Sequence, residues 1–203
     1  MDFKQRVKNS LILGAGVYKS VLLDFEYLIY SPGFIQNPYY IISANEDNYE
    51  HLTGVHSLIS PKMFYAKCIN GTITELDFDF SKGQKSEKSI KGTVRKKITA
   101  FPTLNNLFSS KLYAEENFTK GAVHCSIATA DFQLTLGFIN AKYAIPMTLL
   151  KGNQLNPAKN VEVTLVLRRK KGSDDFDVVI QGSSNDLLHL TSKCISMLTK
   201  RKQ

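Results

Sequence analysis

GAVHCSIATADFQLTLGF, residues 121–138, alternates apolar and polar side chains, the period of a strand with one face on a core. A tight hairpin turning near Thr129–Ala130 would set Ile127 opposite Phe132, Cys125 opposite Leu134 and Val123 opposite Leu136. Its other face would pair Ser126 with Gln133 and His124 with Thr135, gathering an imidazole, two hydroxyls and an amide on a rigid platform. Helical spacing dominates before this stretch and strand spacing after it. The stretch therefore points to an α+β class rather than a βαβ repeat.

Downstream, PMTLLKG (146–152) reads as another strand, and residues 160–182 as a second hairpin turning at Lys171–Gly172–Ser173. The sum is helices packed on an antiparallel sheet of about five strands. Residues 183–200 look like a closing helix, capped by Ser184, with Leu187, Cys194, Ile195 and Leu198 on its apolar side. Upstream, FPTLNNLFSSKLY (101–113) has the stripe of an amphipathic helix in Leu104, Leu107, Phe108 and Leu112. Ser60–Pro61 is a helix start, serine as cap and proline at the first position, with Phe64 and Cys68 inward and Asn70–Gly71 as its stop. Residues 24–31 and 39–43 read as a strand pair, 72–80 as a strand or extended arm, and 2–18 as a helix on Phe3, Val7 and Leu11.

The 203 residues suffice for one hydrophobic core and carry a formal charge of +8. A basic surface points toward nucleic acid or another anionic partner. Three cysteines (Cys68, Cys125 and Cys194) without CxxC spacing suit buried thiols in a reducing compartment. The apolar run LILGAGVY is too short to span a bilayer, so the reading is cytosolic, without a membrane partner. GAG at 14–16 satisfies neither nucleotide fingerprint. No HExxH is present and no Asp/Glu pair sits near a histidine at ligand spacing, so neither metal nor other cofactor is expected.

YEHLTGVHS (49–57) holds two of the four histidines, with a Thr–Gly pair suited to a turn. Between Ser81 and Ala100 stand seven bases against one acid, Glu87. If helical, Lys85, Lys88, Lys91 and Arg95 share a face; a mobile basic loop fits equally.

Tyr49, His51, Leu52, Thr53 and Gly54, followed by Phe64, Tyr65 and Gly71, form one motif. Gly137, Phe138, Tyr143, Pro146 and Thr148 form a second. Together they resemble the fourth subfamily of a phage-associated group named for likeness to barnase, EndoU, colicin E5/D and RelE nucleases, over roughly residues 20–180. The resemblance implies helices on an antiparallel sheet and a metal-independent RNase encoded by phages or mobile elements, acting as a toxin or effector. The lysine-rich insertion at 81–99 and the tail beyond 180 depart from the pattern.

Such cleavage needs a base for the 2′-hydroxyl proton, an acid for the leaving 5′-oxygen and a cation for the phosphorus centre. The expected catalytic set is His51 with Thr53 orienting it, His124 as its partner and Lys67 as the cation. Ser126, Gln133, Thr135, Tyr143 and Thr148 are the expected substrate contacts. Lys88, Lys91, Arg95, Lys96, Lys97, Arg168 and Arg169 would hold phosphates. RNA is the expected partner, with DNA or an acidic host or immunity protein as alternatives. The rival reading keeps the scaffold without catalysis, as a binder of nucleic acid or an inhibitor of a host protein. The enzyme reading requires His51, His124 and a cation to converge on one cleft; scattered histidines favour the binder.

Overall fold

The computed structural model describes residues 2–81, 83–140, 143–183 and 185–190. Helix α1 (Phe3–Tyr18) starts on Asp2, whose carboxylate accepts from the N–H groups of Phe3 and Lys4, and it buries Val7, Leu11, Ala15 and Tyr18. Gly14 sits within it for a packing reason. A Cβ there would lie 2.9 Å from the Tyr49 hydroxyl, which donates to the Leu11 carbonyl at 2.5 Å. A π-helical turn, Lys19–Leu23, then leads into β1 (Phe25–Tyr30), which pairs antiparallel with β2 (Tyr40–Ile42).

The middle of the chain carries α2 (Tyr49–Thr53), β3 (His56–Ser57), α3 (Pro61–Ile69), β4 (Phe78–Asp79) and α4 (Glu87–Ala100), then a 3-10 helix, Phe101–Ser109. The α3 start is as expected: the Ser60 hydroxyl accepts from Met63 N–H, and Pro61 holds the first position. Gly71, at φ +70°, follows its end. The strands that follow are β5 (Tyr113–Glu116), β6 (Thr119–Lys120), β7 (Val123–His124), β8 (Ile127–Ala130), β9 (Leu134–Ile139) and β10 (Tyr143–Lys151), then β11 (Val161–Glu162), β12 (Leu165–Lys170) and β13 (Val178–Gln181).

Nine of these strands form one sheet in the order β11-β5-β8-β9-β10-β2-β1-β12-β13, while β3-β4 and β6-β7 are separate ribbons. The α+β class holds, but the sheet has nine strands rather than about five, and β2 joins β10 in parallel. The early strand pair completes the same sheet instead of standing apart. The helix expected over 101–113 ends at Ser109, and Tyr113–Glu116 becomes a strand beside β8.

The 121–138 register also differs. Ile127 faces Phe138 and Ala130 faces Thr135, so the turn lies beyond Ala130. There the Asp131 carboxylate accepts from the N–H groups of Gln133 and Leu134 at 2.7 and 2.8 Å, an Asx turn that fixes the corner. Phe132 is thereby 78% exposed, instead of facing Ile127 in the core. His124 pairs with Thr119 on the β6-β7 ribbon, not with Thr135.

The helices cover one sheet face, in a core that runs from Val7 and Leu22 through Tyr49 and Phe64 to Leu136 and Phe138. On the other face Leu28, Leu165 and Leu167 meet Leu190, which belongs to a helical segment at 185–190. The expected cap Ser184 and the apolar positions Cys194, Ile195 and Leu198 lie outside the described residues. No helix among the described residues is long and apolar enough to cross a membrane.

Glu26 and Arg169 sit opposite each other across β1 and β12, both nearly buried. The Arg169 Nε and Nη2 donate to Glu26 Oε2 at 2.7 and 2.6 Å, and its guanidinium stacks 4.4 Å over Phe176. Arg169 therefore braces the sheet and presents no free charge to phosphate. Arg169→Met would strand the Glu26 charge in the interior and lower stability by about 3–5 kcal/mol. Urea midpoints are expected to show that loss, and to recover much of it when Glu26→Gln is added.

Candidate active site

The corner that carries two histidines is built around a left-handed residue. Helix α2 ends at Gly54, φ +79°, a conformation that costs glycine little and other residues more. The same glycine leaves room for Lys97 of α4, since a Cβ would come within 2.8 Å of the lysine Cδ. Lys97 crosses the turn, is 8% exposed, and donates from Nζ to the His51 carbonyl at 2.9 Å. Lys97 thus holds the corner and is not a free phosphate ligand. Thr53 is fully buried; its hydroxyl donates to the Glu50 carbonyl at 2.7 Å and accepts from Val55 N–H. It closes the turn and does not orient the His51 ring, which is exposed.

Two residues past the turn, His56 begins β3 opposite Asp79 of β4. His56 Nδ1 lies 3.0 Å from Asp79 Oδ1 and 3.3 Å from Ser81 Oγ. Ser81 also donates to Asp79 from its hydroxyl at 2.7 Å and its N–H at 2.9 Å. Both partners meet the same ring nitrogen, so this is not a serine-nucleophile triad, in which serine and carboxylate occupy opposite nitrogens. Asp79 fixes the ring with Nδ1–H as donor, and Nε2 makes no other hydrogen bond among the described residues. Burial raises the Asp79 carboxyl, but the Ser81 and His56 hydrogen bonds outweigh it and hold it below the ordinary carboxylate range.

Asp79 and Ser81 line an open cleft of about 490 Å³ whose other walls include Phe3, Lys4, Lys85 and Lys91. Lys91 pairs with Glu87 at 2.7 Å and lies 5.2 Å over Phe80; Lys4 lies 5.4 Å over Phe78. From Glu87 onward the basic run is a helix, while Lys85 precedes it and does not share the helical face expected for it. Ser86 caps α4, and Ile90, Val94 and Ala100 are buried, which leaves Lys88, Arg95 and Lys96 exposed.

The other expected site residues do not converge there. Lys67 is bound to Asp77 at 2.6 Å, and Asp77 also accepts from the Thr74 N–H and hydroxyl, so Lys67 is engaged in structure. His124 is exposed on the β6-β7 ribbon and does not line the cleft beside Asp79. Ser126 is tied through its backbone to Phe138 and Asn117. Gln133 lies exposed in the Asx turn. Thr135 is fully buried, its hydroxyl donating to Gly152 and accepting from Gln154. Thr148 is buried against Gly137, and Tyr143 is half-buried beside Ile41. Arg168 stacks 4.4 Å over Phe25. The expected meeting of His51, His124 and Lys67 is not found.

What the sequence reading passed over is His56 with Asp79 and Ser81. Asp77 and Asp79 lie in the segment read as a strand or extended arm, but their partners, Lys67 and His56, are supplied by folding. Cys68 and Cys125 are buried, and burial pushes their thiols up to about 12 and about 11, unsuited to nucleophilic work. No group of three or more His, Cys, Asp or Glu side chains among the described residues forms a metal ligand set.

Gly54→Ala is expected to cost about 1–2 kcal/mol, through backbone strain and displacement of Lys97, read as a lower urea midpoint. A pH test follows from Asp77. Burial raises its carboxyl, but the Lys67 ammonium and Thr74 donors outweigh that and hold it low. A carboxyl lowered on folding stabilises above its unfolded value of about 3.9, and that contribution is lost as pH falls through the folded value. The stability gap between the protein and Asp77→Asn should therefore be full at pH 7 and shrink progressively as pH falls below about 4, measured by denaturant unfolding at each pH.

Comparison with known protein families matches residues 12–184 to phage-Barnase-EndoU-ColicinE5/D-RelE like nuclease4. No curated protein and no solved structure matches the chain. With the match running from α1 through the His56 corner and the basic helix to the end of the sheet, the chain belongs to this family of nuclease-like domains.

Proposed function

We propose that the protein is a metal-independent endoribonuclease of phage or mobile-element origin, with His56 as its general base. The observation that carries this reading is the pairing of His56 with Asp79, a residue on the wall of a cleft that Lys4, Lys85 and Lys91 also line. Nδ1 is held by a carboxylate, which sets the tautomer and leaves Nε2 to accept a proton. The family's nuclease character supplies the reaction class.

In this reading a 2′-hydroxyl gives its proton to His56 Nε2 as its oxygen bonds to phosphorus. The bond from phosphorus to the 5′-oxygen breaks, and that oxygen takes a proton from a lysine ammonium of the cleft, Lys85 or Lys4. The products are a 2′,3′-cyclic phosphate and a 5′-hydroxyl. Lys91 and its neighbours stabilise the charge that builds on the phosphoryl oxygens. Asp79 is a positioning residue, since it acts through His56. The placement of His51 on α2 and of His124 on the β6-β7 ribbon, with Lys67 held by Asp77, favours a second reading, a non-catalytic binder of nucleic acid.

Labelled single-stranded RNA incubated with the protein in excess EDTA separates the two. The nuclease reading expects cyclic-phosphate ends, a loss of about 10²–10⁴-fold in His56→Ala, a smaller loss in Asp79→Asn, and near-normal rates in His51→Ala and His124→Ala. Cleavage that survives His56→Ala but not His124→Ala would move the centre to the ribbon. RNA bound without cleavage would leave the binder.

A further inference from the structure

Arg6 of α1 and Lys91 and Arg95 of α4 stand 5.9, 6.0 and 5.2 Å from the centroid of one ring, that of Phe3. Phe3 packs in turn on Phe80 at 5.3 Å. Among the described residues a single ion pair touches this group, Lys91 with the exposed Glu87. Of the other nearby acids, Asp2 spends its carboxylate on the N–H groups of Phe3 and Lys4, and Asp79 is engaged by His56 and Ser81. Three like charges around one ring repel one another, and ring faces contribute only about 0.5–1 kcal/mol each at exposed sites. Among the described residues the guanidinium groups have no carboxylate to give up before taking a phosphate, and two of the three cations are arginines, which grip phosphate with two parallel hydrogen bonds.

The arrangement continues along α4. Lys88, Lys91 and Arg95 recur at steps of three and four, a row about 10 Å long at the helical rise. The row meets the cleft at Lys91: Phe3, Lys4 and Lys91 are walls of the same cleft as Asp79 and Ser81. Phe3, Lys4 and Arg6 precede the family match, which starts at residue 12, so half of this surface comes from outside the matched span.

We infer that the α1–α4 face around Phe3 is a phosphate track that leads an RNA strand into the cleft lined by Asp79 and Ser81, beside His56. The direction of the track rests on the reading of that cleft as the cleavage centre; the binding itself does not. Arg6 and Arg95 are its principal phosphate ligands, and Lys88 extends it. Phe3 holds their positions and takes no part in the chemistry.

The test uses the His56→Ala protein, so that the probe stays intact, and a fluorescent single-stranded RNA 12-mer whose anisotropy is followed from about 50 to 200 mM salt. Adding Arg6→Glu and Arg95→Glu is expected to weaken binding at least tenfold. It should also flatten the plot of log affinity against log salt by about 1.4, two phosphates at about 0.7 each for a single strand. Lys151→Glu with Lys159→Glu, the same change of charge elsewhere, should leave the slope unaltered. Arg6→Gln with Arg95→Gln gives a milder pair whose melting temperature checks that the fold is intact. Its slope should fall equally. Phe3→Leu keeps the charges and should weaken binding a few-fold at constant slope.

The proposal is overturned if the Arg6/Arg95 variants bind RNA as the Lys151/Lys159 control does, which would leave the face to an acidic protein. If the track variants behave as expected while the unsubstituted protein cuts no RNA, the cleavage reading falls and the track stands. Cleavage that depends on His56 but not on Arg6 or Arg95 overturns the track and leaves the cleavage centre in place.

Discussion

The buried hydroxyl of Tyr49 is the contact on which the rest of the helical layer depends. It donates to the Leu11 carbonyl through the gap that Gly14 leaves in α1, and its ring packs against Tyr18, Phe64, Tyr65 and Phe101. One side chain thus joins α1, α2, α3 and the 3-10 helix. Burial raises its pKa well above the ordinary phenol value, so it stays a donor. Because Tyr49 opens α2, it also fixes where that short helix ends. Gly54 then turns the chain, Lys97 locks the turn, and His56 emerges opposite Asp79. A five-residue helix has little stability of its own; its position is borrowed from the aromatic cluster beneath it.

Charge is distributed in two ways, and the contrast assigns roles. Arg169 with Glu26 and Lys67 with Asp77 are paired around a nearly buried carboxylate, the first across distant strands and the second between α3 and the segment before β4. Such pairs cost desolvation and are strongly destabilising to break from one side, which makes them braces. Around Phe3 the cations rest on rings with few acids nearby. That placement contributes little to stability and leaves the charge available to an anion. The sum of +8 would not have told these cases apart.

Much of the fold was legible where the signal is local. Ser60–Pro61 starts a helix because cap and first-turn residues act within three positions, and the strands at 25–30, 40–42 and 165–170 follow from their β-branched and aromatic runs. The register of 127–138 was not legible, because it turns on the Asp131 side chain capturing two N–H groups rather than on the apolar alternation. Nor was the parallel contact of β2 with β10, whose partners lie about a hundred positions apart. Of the candidate site, the basic helix was visible as a charge run, although Lys97, the most nearly buried base among its described residues, reads like its exposed neighbours. The histidine motif was visible too, but the reading settled on His51. His56 gains its partner from a strand 23 positions away, and a two-residue strand leaves almost no periodic trace.

The account stands on His56 meeting the substrate. A 2′-deoxy dinucleotide lacks the attacking hydroxyl and so binds without being cut. The most direct measurement is nitrogen-15 and proton NMR of the four imidazoles as that analogue is titrated in. The account predicts that the His56 ring and the Ser81 amide shift in a saturable way while His124 stays still. Saturable shifts at His124, with His56 unmoved, would contradict it.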